Sequence, residues 1–138
     1  MDDTTNSANQ PTGKQTNSPG GIFYTATSGI WQTVWMEPVP TAAIDTVVST
    51  PNLKTGSAAV TVKSAGASPA AQATVVALYK DGNQVGTVTG AANTPLNLPI
   101  PDAHLWSPDH PYLYGLVVRL KDPAKDSNDT VRSYVGMR

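Results

Sequence analysis

The chain has 138 residues, 39% of them apolar and only 14% charged, with a net charge of −1 and no cysteine. That balance gives nucleic-acid binding little electrostatic support, and the lack of cysteine removes a disulfide framework and thiol chemistry and leaves the redox compartment open. No apolar run approaches membrane-spanning length, and the acidic, polar start Met1-Asp2-Asp3-Thr4-Thr5 is not a signal peptide.

The 12 prolines and 11 glycines fall mostly between short runs rich in Val and Thr, with no sustained helical period. That pattern predicts an all-β chain. Residues Met1 to Gly21 are dominated by Asn, Thr, Ser, Gly and Pro. They bury too little to offset their ordering entropy, so a disordered or loosely held N-terminal segment is expected. The stretch Ile30 to Val39 is predicted as a strand. It would carry Ile30, Gln32, Val34 and Met36 on one face and Trp31, Thr33, Trp35 and Glu37 on the other. Two largely apolar faces suit a strand covered on both sides.

A regular β region follows. Thr41 to Thr50 is expected as its first strand, ended by Pro51-Asn52. Ser57 to Ser64 alternates Ala58, Val60 and Val62 with polar or small residues, and Gln72 to Lys80 alternates Ala73, Val75, Ala77 and Tyr79 with Thr74, Val76, Leu78 and Lys80. Asp81-Gly82-Asn83 supplies a hairpin turn into Gln84 to Thr89. Pro95 to Ile100 is flanked by prolines and is expected at a sheet edge. Tyr112 to Lys121 places Tyr114, Leu116, Val118 and Leu120 on one face, Asp122 to Asn128 reads as a charged turn, and Asp129 to Gly136 closes the sheet. About seven short strands in this span make an immunoglobulin-like antiparallel β-sandwich.

Catalytic chemistry finds little to work with. Glycoside hydrolysis, for example, needs a pair of carboxyl groups flanking the bond. The sequence holds one glutamate, Glu37, and its aspartates sit in turn contexts, where they cap backbone N–H groups. His104 and His110, with Asp102 and Asp109, are too few for a structural zinc site. No serine has a nucleophile-elbow context, no glycine pair forms a phosphate loop, and Asn128-Asp129-Thr130 fits only the short glycosylation acceptor pattern. The expected catalytic residues, metal ligands and cofactors are therefore none.

Two landmarks carry a resemblance. Leu105-Trp106-Ser107-Pro108-Asp109-His110-Pro111-Tyr112-Leu113-Tyr114, closed by Tyr134-Val135-Gly136-Met137-Arg138, resembles the last part of the immunoglobulin-like domain of glycoside hydrolase family 2, the β-galactosidase, β-glucuronidase and β-mannosidase group. Ser28-Gly29-Ile30-Trp31-Gln32-Thr33-Val34-Trp35-Met36-Glu37-Pro38-Val39-Pro40 resembles the end of that family's preceding sugar-binding domain, and Gln10 to Gln15 a remnant of its loop. The resemblance implies residues 1–40 as a polar tail plus the terminal strand of a truncated sugar-binding jelly roll, and 41–138 as the immunoglobulin-like domain. The catalytic barrel, with the family's two glutamates, would begin after Arg138.

The implied role is that of a non-catalytic structural fragment of a β-galactosidase-like hydrolase. Its partners would be the barrel and sugar-binding domain of the same parent chain and the parent's carbohydrate substrate, with no nucleic acid and no membrane. Self-association through Ile30–Met36 would be a further way to cover Trp31 and Trp35. The polysaccharide-degrading members of the family imply a secreted or periplasmic parent. Phe23, Tyr24 and Trp31 lie where the family's sugar-binding domain approaches the active site, and they are the candidate sugar contacts, by apolar stacking of their rings. Many members place a substrate-reaching aspartate ahead of the Gly-Ile of this motif. Phe23 stands in that place here, so the contact, and with it galactoside or glucuronide specificity, does not carry over. Trp106 is expected to cap the sandwich end as a large buried aromatic whose loss costs about 3–5 kcal/mol.

Two alternatives stay open: an independent carbohydrate-binding module, which predicts saturable sugar binding, and a fibronectin-like surface spacer or adhesion domain, which predicts none. A self-sufficient module of either kind should not display two unburied tryptophans.

Overall fold

Backbone pairing organises the chain into nine strands and one 3₁₀ turn in a computed structural model that describes residues 13–27, 29–30 and 32–138. The chain divides into two units, Met1–Glu37 and Pro38–Arg138, each described by itself.

In the first unit, β1 (Gln15–Thr16) pairs in parallel with β2 (Tyr24–Thr25). Gly20 and Phe23 exchange backbone hydrogen bonds of 3.2 and 3.0 Å across the intervening turn. The loosely held segment expected from Met1 to Gly21 thus has a small folded element at its C-terminal side, and residues 1–12 lie outside the described region. Among the described residues, the strand expected over Ile30 to Val39 is not formed. Residues 32–40 belong to no strand or helix, and Val34, Trp35 and Met36 are 73, 74 and 96% exposed. An apolar run is not sufficient for a strand: its N–H and C=O groups need a laddering neighbour, and the described residues supply none.

The second unit is an antiparallel sandwich of two sheets. A three-stranded sheet has the order β3–β4–β7, where β3 is Ala43–Asn52, β4 is Ser57–Ala65 and β7 is Pro95–Pro99. A four-stranded sheet has the order β6–β5–β8–β9, where β5 is Gln72–Leu78, β6 is Gln84–Ala91, β8 is Tyr114–Asp122 and β9 is Ser127–Val135. These seven strands make the immunoglobulin-like arrangement that the alternation predicts. Ala58, Val60, Val62, Leu96 and Leu98 point inward from one sheet. Ala73, Val75, Ala77, Tyr114, Leu116 and Val118 meet them from the other, and all are buried. The proline-flanked β7 is an edge strand, as expected.

Several local expectations change. Pro51 does not end β3 but pairs with Ala58 inside it, which is tolerated because β3 is an edge with no neighbour on its far side. β8 starts at Tyr114 rather than Tyr112, since its ladder opens at Tyr114↔Val135. The expected charged turn from Asp122 contracts to a 3₁₀ turn, Pro123–Lys125, and Asp122 itself is the buried last residue of β8. Trp106 is half-buried rather than sealed, with the Arg138 guanidinium 5.1 Å from its ring. Its removal is therefore expected to cost about 1–3 kcal/mol, less than for a core aromatic.

The open edges β3 and β9 are joined by side chains instead of a ladder. The Ser127 hydroxyl accepts from Ala42 N–H and donates to Ala42 C=O, both at 3.1 Å. Asp129 Oδ2 accepts from Ile44 N–H at 2.7 Å, beside a register shift that leaves Asp45 as the extra residue. Edge groups that would otherwise be unpaired are so satisfied within the domain.

Candidate functional site

The predicted sugar contacts begin in the first unit. Phe23 and Tyr24 are held by backbone bonds, the Tyr24 N–H donating to Lys14 C=O at 2.9 Å, while their rings are 48 and 65% exposed. As consecutive extended residues they present their rings to opposite sides. Trp31 lies outside the described residues.

The carboxylates are dispersed. Glu37 is exposed beside Pro38 with no charge partner among the described residues. Asp81 accepts from Asn83, Asp129 from Ile44 and Thr130, and Asp122 from the Ser68 N–H at 2.6 Å, the Ser68 hydroxyl at 2.7 Å and the Ala124 N–H at 3.1 Å. The backbone and hydroxyl bonds from Ser68 hold the Asp122 carboxyl below the usual range, with Ala124 and the Lys125 ammonium adding to the effect. These are structural acceptors, as turn chemistry suggested for most of them. No group of three or more His, Cys, Asp or Glu among the described residues is placed to hold a metal.

The proline-rich loop builds the most elaborate local geometry. Ser107 and His110 close a turn with reciprocal backbone bonds of 3.2 and 3.1 Å, so Pro108 and Pro111 flank a fixed corner. It delivers Tyr112 and Tyr114 to a ring cluster: His104 and Tyr112 have centroids 4.7 Å apart, Tyr112 and Tyr114 4.9 Å, and Tyr79 and Tyr114 5.8 Å. The Tyr114 hydroxyl, fully buried at the start of β8, accepts from the His104 N–H at 2.7 Å. That is a tyrosine corner, the device that fixes a sandwich's crossing connection. Burial pushes the Tyr114 hydroxyl pKa up. Lys80 sits 4.7 Å from the Tyr112 ring. An open hollow of about 650 Å³ beside this cluster is lined by Lys80, His104, Asp109, His110 and Tyr112. Its histidines are loop residues with neither a nucleophile nor a carboxylate pair, so it has the parts of a corner and not of a hydrolytic centre.

Sequence reading missed Ser68 as the partner of Asp122, a pairing 54 residues apart. It also missed a second depression, of about 480 Å³, on the outer face of the four-stranded sheet. The signal for the latter was available: the inward alternation of β8 leaves Arg119 and Lys121 outward.

The profile of glycosyl hydrolases family 2 matches residues 41–138. Solved structures similar to the chain include the FMN-binding β-glucuronidase from Facaelibacterium prausnitzii L2-6 (25% identity, TM-score 0.58, covering 71% of this chain and 17% of that one). Others are a β-D-glucuronidase of Dictyoglomus thermophilum (28%, 0.54, 70% and 16%) and the Lactobacillus rhamnosus β-glucuronidase (29%, 0.55, 72% and 16%). The chain spans about a sixth of the length of these enzymes. No curated protein matches it.

Proposed function

The chain belongs to glycosyl hydrolases family 2 through residues 41–138, and from that premise we propose that it is the non-catalytic scaffold of a larger retaining glycosidase. The observation that carries the reading is a complete sandwich without a glutamate, the chain's single one, Glu37, lying in the first unit. A retaining mechanism needs two carboxyl groups about 5–5.5 Å apart, and the aspartates of the sandwich with hydrogen bonds described above are spent on backbone and turn contacts. In this reading the acid/base and the nucleophile stand on a barrel that follows Arg138. The immunoglobulin-like domain spaces that barrel from the sugar-binding domain, whose last segment is residues 1–40.

The parent's reaction would be cleavage of a terminal β-glycoside. The similar solved enzymes named above are β-glucuronidases, so a β-glucuronide ranks ahead of a β-galactoside as its substrate. The exposed Ile30, Val34, Trp35 and Met36 support a missing cover. In the parent that cover is the rest of the sugar-binding domain, and in the isolated chain a second copy can serve. Phe23, Tyr24 and Trp31 are the residues through which this segment would reach sugar.

The deciding experiment reads the gene past Arg138 and assays the purified chain on chromogenic β-glucuronide and β-galactoside. A frame continuing into a barrel with two separated glutamates, and no turnover by the chain, are expected. A stop codon after Arg138, or turnover by the chain itself, would overturn the reading.

A further inference from the structure

The four-stranded sheet turns one face to the core and one to solvent, and the solvent face has its own chemistry. Strand register aligns Thr89, Thr74, Arg119 and Thr130 in one cross-strand row, and Gln72, Lys121 and Asn128 in the next. Both rows line the depression of about 480 Å³. At a spacing of about 4.8 Å per strand, the first row is about 14 Å long. The Thr74 and Thr89 hydroxyls are hydrogen-bonded to each other at 2.9 Å, which fixes their side chains.

The charge of this face is one-sided. Arg132 lies outward one row further along β9, paired with Val117, giving three cations with Arg119 and Lys121. None of the outward positions of β5, β6, β8 or β9 is Asp or Glu. One carboxylate, Asp129, does line the depression, and its two oxygens accept from the Ile44 and Thr130 N–H groups. Arg119, Lys121 and Arg132 are exposed and make no ion pair among the described residues. A chain of net charge −1 thus gathers three exposed cations on one sheet face.

We propose that this outer face is a binding surface for a carboxylated oligosaccharide, separate from the parent's catalytic site. The cations would meet the carboxylates, the guanidinium in a bidentate fork. The Gln, Asn and Thr side chains between them donate and accept at once, as a row of sugar hydroxyls requires. An acidic protein surface would want an aromatic or large aliphatic anchor, and neither row carries one, Leu120 beneath them facing the core. The choice of a glycan as the anion rests on the glycosidase reading above; the charge of the face does not.

The test titrates the full chain with galacturonic-acid trisaccharide and with neutral galactotriose, following backbone amide resonances. Saturable binding of the acidic sugar alone is expected, with shifts confined to the outward positions of β5, β6, β8 and β9 and weakening as salt is raised. The variant Arg119→Gln/Lys121→Gln should lose about tenfold or more in affinity, whereas Lys63→Gln, on the other sheet, should bind as the parent chain does. Equal binding of the neutral sugar, no binding of either, or equal binding of a poly-glutamate peptide on the same residues would each overturn the proposal. A gene that continues into a barrel would stand through any of those results, so the two readings fail separately.

Discussion

Tyr114 and Asp122 sit at opposite ends of β8, and each ties that strand to a loop that the local sequence does not designate. Tyr114→Phe removes the acceptor of the His104 N–H and should destabilise the domain by about 1–3 kcal/mol. For a sandwich of this size that lowers the melting temperature by roughly 4–8 °C per kcal/mol, and calorimetry reads it directly. The raised hydroxyl pKa adds a pH signature. The folded state holds this proton more tightly than the unfolded chain, so its contribution is intact below the unfolded value and fades as pH rises beyond it. Asp122 runs the other way. Its lowered pKa contributes stability above the unfolded carboxyl value, and that is lost as pH falls through the folded one. Thermal melts between about pH 5 and pH 2 should slope less steeply for Asp122→Asn than for the unmodified chain; parallel slopes would show that the Ser68 contacts do not favour the charged form.

At the level of strands, alternation was legible wherever the pleat imposes it. Ala58, Val60 and Val62, Ala73, Val75 and Ala77, and Tyr114, Leu116, Val118 and Leu120 all face inward as period two requires. Which strands pair is settled by contacts distant in sequence, and so it was not. The same non-locality hid the Asp122–Ser68 pairing and allowed the apolar run after Ile30 to pass for a strand. Gly86 and Gly90 in the interior of β6 were a usable signal that went unread, since glycine inside a strand often marks close approach of another backbone. A Cβ at Gly86 would lie 2.1 Å from the Pro99 carbonyl oxygen of β7, and one at Gly90 would lie 2.6 Å from Leu96 Cδ2. Gly86→Ala is therefore expected to cost about 1–3 kcal/mol through strand displacement. A melting temperature equal to that of the parent chain would mean that β6 and β7 yield freely.

On the scale of the whole molecule, the core clusters among the described residues draw only on positions from Ala42 onward. The unit Pro38–Arg138 should accordingly fold alone, and a chain lacking residues 1–37 should melt within about 2 °C of the full one, the scatter of substitutions that touch no core. The exposed apolar residues of the first unit should matter to solubility instead: sedimentation should show less self-association after the truncation, and an unchanged distribution would remove Ile30–Met36 as the sticky element. The candidate site was the least legible of all, because its ring cluster brings Tyr79 to Tyr112, Tyr114 and His104 through contacts distant in sequence.

The stapling of β3 to β9 has a mechanical meaning. Ala42 and Ile44, where the sandwich is entered, are fastened to Ser127 and Asp129 at the beginning of the last strand, whereas the chain leaves beyond Val135 at that strand's other end. Entry and exit are thus separated by the length of β9, about 27 Å. Tension between neighbouring domains would run along the strands, loading the Ser127 and Asp129 bonds together in shear rather than peeling them one at a time. Such a domain should resist extension better than its core alone would. Single-molecule pulling on Ser127→Ala and Asp129→Ala variants should find the lower rupture force.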